Sequence, residues 1–218
     1  MREFLSVSGP EDYPGQHQEM LSIADAPGCD ITEHVSTLVQ YGKQVDTITE
    51  MGVRFGWSTR SFLFAKPSKL HSIDKFEWNS VHQSGMIQEP GNSQFHKYQK
   101  LYSGKVDFTY QIADTTKIPS IEPCDLLFID TFHHRDCLSI ELNLHGNQAR
   151  KYIILHDTET FGECGQADDS LLFFDRVTTN EPGTGLRYSI NSWLSNNKEW
   201  SVKQVFANNN GLTVLERS

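Results

Sequence analysis

From residue 45 onward, short apolar, β-prone runs alternate with segments whose apolar positions recur at helical spacing. Residues 45–50, 70–73, 107–112, 125–129 and 152–155 read as strands; the run at 125–129, Asp-Leu-Leu-Phe-Ile, is apolar on both faces, as a strand covered on both sides must be. Residues 58–65 read as a helix stopped by Pro67, 137–150 as a second and 185–194 as a third. Upstream, Ile31, Val35, Leu38 and Val39 share one face of a helix over 31–41, for which Asp30 is the expected cap, Glu33 its capping-box partner and Gly42 the terminator. Near the C-terminus two alternating runs, 202–206 and 212–215, flank Asn208–Gly211, whose Asn-Gly pair predicts a hairpin.

Strands alternating with helices imply a mainly parallel sheet covered on both faces, closed here by one hairpin. One α/β domain is expected over residues 30–218, preceded by an irregular segment, 1–29, punctuated by Gly9–Pro10, Pro14–Gly15 and Pro27–Gly28. Residues 77–95, rich in Ser, Gln, Asn, Gly and Pro, read as either a surface loop or a lid over a ligand. Bulk numbers fit this picture. With 218 residues, 37% apolar and 22% charged, the chain can bury one sizeable core and is not of disordered composition.

Charge and cysteine usage narrow the partners. The net charge is −9, from 28 acids against 19 Lys and Arg, and no basic stripe follows the chain, which disfavours nucleic acid. No apolar run reaches membrane-spanning length, and the N-terminal stretch lacks the apolar core of a signal peptide. Cys29, Cys124, Cys137 and Cys164 form no Cys-x-x-Cys pair, so a cytoplasmic location with reduced thiols is the expectation.

The densest chemical signal is Asp46–Arg60, DTITEMGVRFGWSTR. A strand ends in Glu50, Gly52 and Gly56 follow, and Ser58 and Thr59 stand where a helix opens. Such a segment exposes backbone at the carboxyl end of a sheet, where a nucleotide-like ligand lies against glycines. Four further acids, Asp74, Asp114, Asp130 and Asp157, stand at or just past the ends of the later parallel strands. Asp74, after the second, is placed for ribose hydroxyls, and Asp114, after the third, for a purine amine.

Taken together, Glu50-x-Gly52-x-x-x-Gly56-x-Ser58, Asp74, Ala113–Asp114 and Asp130 resemble class I S-adenosylmethionine-dependent methyltransferases over roughly residues 30–217. Within that class, FIDTFHH (128–134) and YIILHDT (152–158) are similar to the cephalosporin hydroxylase-like and small-molecule O-methyltransferase branch. The resemblance implies a Rossmann-like, seven-stranded, mostly parallel sheet with a C-terminal antiparallel β-hairpin. It implies that Glu50 and the glycine loop face the methionine part of S-adenosylmethionine, that Ser58 and Thr59 also bind the cofactor, that Asp74 takes the ribose and that Asp114 takes the adenine. It further implies a divalent cation, Mg²⁺ or Mn²⁺, at positions held here by Asp130, Asp157 and Thr158, where many relatives carry Asn or a Glu-Asp pair at the second location; His156 beside them is a poor ligand for Mg²⁺ but a reasonable one for Mn²⁺ or Zn²⁺. His133, three residues past Asp130, falls at the position of a general base, and Asp130 acts with it. The implied reaction moves a methyl group to a hydroxyl of a small polar acceptor, a sugar or secondary metabolite, chosen by loops 77–95 and 161–184.

Other readings are weaker. The glycines are not spaced as Gly-x-Gly-x-x-Gly, and there is no Gly-x-Ser-x-Gly elbow, no Gly-x-x-x-x-Gly-Lys loop and no DPPY-like tetrapeptide. Two alternatives stay open: iron held by His133, His156 and Asp130 in a hydroxylase-like enzyme, and a cofactor-binding regulatory module without turnover. A homodimer is allowed and nothing forces one.

Overall fold

The computed structural model describes residues 30–76 and 93–218. The expectations for 1–29 and for most of 77–95 lie outside these residues. Seven strands form one sheet: β1 (Thr47–Met51), β2 (Lys69–Asp74), β3 (Asp107–Ile112), β4 (Cys124–Ile129), β5 (Ala149–His156), β6 (Trp200–Phe206) and β7 (Leu212–Arg217). Their order is β3-β2-β1-β4-β5-β7-β6. The first five are parallel, β7 pairs antiparallel with both β5 and β6, and the chain direction of strand addition reverses between β1 and β4. This is the fold expected from the order of elements.

Among the described residues five α-helices accompany the sheet: α1 (Val35–Gly42), α2 (Trp57–Ala65), α3 (Ser93–Leu101), α4 (Arg135–His145) and α5 (Leu186–Asn196). Strand β4 shows why its sequence is apolar throughout. Leu126 and Phe128 join Leu38, Phe62 and Leu63 of α1 and α2 in the core on one face. Leu127 and Ile129 join Leu142 of α4 and Ile190 and Trp193 of α5 on the other.

Several boundaries differ from the sequence reading for local reasons. The segment before α1 is a 3₁₀ turn, Thr32–His34, with Ile31 at its N-cap and no side-chain cap. Asp30 instead pairs with Arg54, at 2.6 Å, and Glu33 bonds to Asn208 and Asn209 of the C-terminal hairpin. Helix α4 starts at Arg135 because the His134 ring accepts from the Asp136 amide, and it gives way to β5 at Ala149. Helix α3, not foreseen from the sequence, packs Tyr98 into the α1–α2 core.

Candidate active site

Strand β1 ends by running into β4. The Asp130 amide donates to the Met51 carbonyl (2.8 Å), and the Gly52 amide donates to that of Ile73 (2.9 Å). Gly52 has φ +85°, and a Cβ there would sit 1.9 Å from the carbonyl oxygen of Asp130. Glycine is thus required by the backbone of the neighbouring strand as much as by any ligand. Gly56, at φ +73°, is the left-handed N-cap of α2.

The acids on this side are occupied by protein donors. Glu50 is fully buried and accepts from Ser58 Oγ (2.6 Å), Thr59 Oγ1 (2.7 Å) and Ser72 Oγ (2.5 Å). Burial pushes its pKa up to about 7, against the pull of these three hydroxyls. The knot lies beneath the glycine loop and does not line the cavity. Ser72 was missed by sequence reasoning, although a serine on the inward face of an apolar strand was a usable signal. Asp74 does line the cavity; its Oδ2 accepts from the amides of Val53 (2.7 Å) and Arg54 (3.0 Å), and its Oδ1 from that of Phe76 (3.0 Å). Asp114 also lines it. Burial opposes ionisation of Asp114, but the Thr116 hydroxyl and amide, with Lys75 and Lys117, hold its pKa below the usual range.

The other side is built differently. Asp130 follows β4, His156 ends β5, and Asp157 follows with φ +59°, a left-handed backbone that a buried aspartate adopts only at a cost. One ligand-type atom from each of the three lies within 4.8 Å of the other two. The Nδ1 of His156 is 3.3 Å from Asp130 Oδ2 and 3.6 Å from Asp157 Oδ2, near enough for attraction but not aligned as a hydrogen bond. Asp157 Oδ1 is also buried without a hydrogen-bond partner. His133 completes the group. Its Nε2 lies 2.8 Å from Asp157 Oδ2 and 3.3 Å from Asp130 Oδ1, while its Nδ1 meets Gln166 Oε1 at 3.0 Å.

Electrostatics tie these four together. Burial alone would lower the pKa of His133, but Asp130 and Asp157 outweigh it and raise it to about 10. His156 is raised to about 9 in the same way, chiefly by Asp130. Asp130 is driven well below the usual carboxylate range because the two imidazoles overcome its burial. Two carboxylates facing two imidazoles need positive charge between them, supplied either by protons on the rings or by a cation.

Between the two sides lies a cavity of about 490 Å³, within the ~300–1,000 Å³ usual for small-molecule sites. It is lined by Gly52, Asp74, Asp114, Asp130, His133 and Asp157, and His156 stands just behind them. Asp30, Gln166 and Phe173 also reach it, and no local sequence signal marks them. Burial, then the nearby charge of Asp130, raises the pKa of Asp30. Phe161 stacks on His133 at 4.7 Å and 7° between planes, fixing the ring that faces the cavity.

No protein-family model and no curated protein sequence matches this chain. Solved structures do match. One is a proposed O-methyltransferase from Klebsiella pneumoniae, 13% identical, with 98% of this chain and 92% of that one covered at a TM-score of 0.54. Another is the 1,6-didemethyltoxoflavin-N1-methyltransferase of Burkholderia thailandensis with 1,6-didemethyltoxoflavin and S-adenosylhomocysteine bound: 11% identity, 97% and 93% coverage, TM-score 0.58. A third is the S-adenosylhomocysteine-bound methyltransferase PaMTH1 of Podospora anserina, 10% identical over 95% and 89% of the chains, TM-score 0.54. At such identities the likeness defines the fold: the chain has the fold of class I S-adenosylmethionine-dependent methyltransferases. Among the described residues no helix is long and apolar enough to cross a membrane.

Proposed function

We propose that this protein is a cytoplasmic S-adenosylmethionine-dependent O-methyltransferase acting on a hydroxyl of a small polar acceptor, assisted by a divalent cation. The observation that carries the reading is the cavity at the strand-order reversal, bounded by the glycine loop on one side and by Asp130, His133 and Asp157 on the other. S-adenosylmethionine, when bound, supplies a methyl group already activated by its sulfonium. The Gly52–Arg54 bend would hold its methionine end, Asp74 its ribose and Asp114 its adenine. Glu50, Ser58 and Thr59 support that bend from below, a role one layer removed from the direct contact expected of them.

Asp130, Asp157 and His156 would hold the cation, and their two buried atoms without hydrogen-bond partners fit such an occupant. The cation supplies Lewis acidity that lowers the pKa of a bound hydroxyl. With the charge of Asp130 and Asp157 neutralised by the cation, His133, oriented by Gln166 and Phe161, would give up the proton those acids hold on it and could then take the hydroxyl proton at Nε2. The remaining work is alignment of the hydroxyl oxygen with the methyl carbon, a positioning task for the cavity walls.

The test is calorimetric titration with S-adenosylhomocysteine, with and without Mn²⁺ or Mg²⁺, on wild type and Asp74→Ala, followed by a panel of hydroxyl acceptors. Binding lost in the variant, and product formed only with a metal, is the expected result. Absence of binding under every metal condition sinks the reading. The placement of one imidazole at each oxygen of Asp130 favours a second reading, a hydroxylase-like iron enzyme. Bound iron with no methyl transfer would select it.

A further inference from the structure

We propose that the Asp130–His156–Asp157 site selects a first-row transition ion such as Mn²⁺, Co²⁺ or Zn²⁺ over Mg²⁺, and that Asn209 of the C-terminal hairpin turn positions the nitrogen that makes the choice. The inference rests on the metal-assisted reading above and specifies its ion. His156 is 1% exposed, and its Nε2 lies 3.3 Å from the carbonyl oxygen of Asn209. That carbonyl can only accept, so Nε2 carries a proton, and Nδ1, which faces the two aspartates, is the nitrogen that would exchange its own proton for a cation. A metal-ligating histidine is typically fixed by such a bond on its far nitrogen. Asp157, bent back by its positive φ, brings a carboxylate with an unpartnered oxygen to the same point.

The turn is built to hold that carbonyl. Asn209 adopts φ +47° and Asn210 φ +68°. The Asn209 side chain accepts from the Glu33 amide (2.7 Å) and donates to the Asp30 carbonyl. The Asn210 carbonyl accepts from the amides of Glu159 (2.9 Å) and Thr160 (3.0 Å), just past Asp157. A turn from the far end of the chain is thus anchored both to the segment before α1 and to the loop after β5, with His156 between.

The donor set then decides the ion. Mg²⁺ demands oxygen ligands in near-ideal octahedral geometry, whereas an imidazole nitrogen suits Mn²⁺, Co²⁺ and Zn²⁺. One nitrogen with two carboxylates matches the second group.

The full chain, stripped with a chelator, should bind Co²⁺ with visible d–d bands of a nitrogen-containing site, and a thousandfold excess of Mg²⁺ should leave those bands in place. His156→Ala should weaken Co²⁺ by 30-fold or more. Asn209→Gly, which keeps the carbonyl and tolerates the positive φ but removes the side-chain anchors, should weaken it about 10-fold and shift the bands, with the melting temperature little changed. Displacement of Co²⁺ by comparable Mg²⁺, or wild-type Co²⁺ affinity in a folded His156→Ala, overturns the proposal while leaving a metal at the aspartates. The Mg²⁺ competition uses wild type alone, so it decides the matter even if His156→Ala does not fold. Failure of every divalent ion to bind overturns this proposal together with metal assistance, and S-adenosylhomocysteine titration of the same sample shows separately whether the cofactor reading survives.

Discussion

The two walls of the cavity handle buried charge in opposite ways. On the β1–β2 side, Glu50 is satisfied by three hydroxyls and Asp74 by three backbone amides. On the β4–β5 side, Asp130 and Asp157 face His133 and His156, and two buried atoms there lack a hydrogen-bond partner. A satisfied carboxylate shapes a loop; an unsatisfied one, in a left-handed backbone, holds a place for something else. On the proposed reading the first wall would be scaffold for a ligand and the second would carry the chemistry.

The largest effect that contrast predicts is on turnover. Asp157→Asn should lower methyl transfer about 10³-fold or more while leaving S-adenosylhomocysteine affinity within about threefold, because it touches only the reacting wall. Asparagine tolerates φ +59° well, but the change also removes the charge 2.8 Å from His133 Nε2, so the His133 pKa should fall and some stability should be lost. Turnover near the wild-type rate would break the comparison at its centre.

Next comes the satisfied wall. Glu50→Leu strips the acceptor from Ser58, Thr59 and Ser72, all buried, and should cost about 3–5 kcal/mol in urea unfolding, while Glu50→Gln should cost about 1 kcal/mol. A Glu50→Leu protein of normal stability that no longer bound S-adenosylhomocysteine would show instead that Glu50 meets the ligand directly.

A pH dependence sharpens the same point. Glu141 on α4 is buried and bonded to Thr115 and Thr131, and burial lifts it, like Glu50, from 4.5 to about 7. Each folded-state pKa is raised, so the folded protein holds protons that the unfolded chain has released. The stability they contribute is complete below about pH 4.5 and is lost as pH rises through 7, by up to about 3 kcal/mol per group. Subtracting the stability–pH curve of a Glu50→Gln, Glu141→Gln double variant from that of wild type should leave a difference that falls between about pH 4.5 and 7 and is flat above it. The subtraction matters, since Asp130, His133 and His156 titrate in both backgrounds alike. A flat difference would mean that both glutamates stay ionised in the fold.

How far this was legible from the sequence follows the range of the contacts. The parallel strands and the hairpin announced themselves through β-prone runs and turn residues, because burial on one or both faces acts within each element. Placement at a strand end was enough to bring Asp130 and Asp157 forward, since parallel strands bring their carboxyl ends together, whereas His133 and His156 came forward only through the family resemblance. Asp30 misled as a helix cap: its pairing with Arg54 depends on the loop after β1, which nothing local reveals. Asn209 read only as a turn residue, since its bonds to Glu33 and Asp30 span more than 170 positions. Helix α3 hid behind the polar run that precedes it. The direction of a side chain was the harder part: Glu50, Ser58 and Thr59 were found by motif, but that they close on one another with Ser72 is a fact of packing.

The smallest predicted effect separates two acids within the first wall. Asp74 and Asp114 both line the cavity, but Asp114 already has two lysines and the Thr116 hydroxyl and amide around its carboxylate. Asp74 is bonded by amides of the same loop that would cradle the ligand, so its charge and the loop's shape act together. Asp74→Asn should therefore weaken S-adenosylhomocysteine about tenfold, near the loss of one charge-assisted hydrogen bond, and Asp114→Asn only about twofold to threefold. The ratio is what matters. Equal losses would mean that Lys75 and Lys117 release Asp114 when the ligand arrives, and that this edge of the wall is reacting rather than fixed.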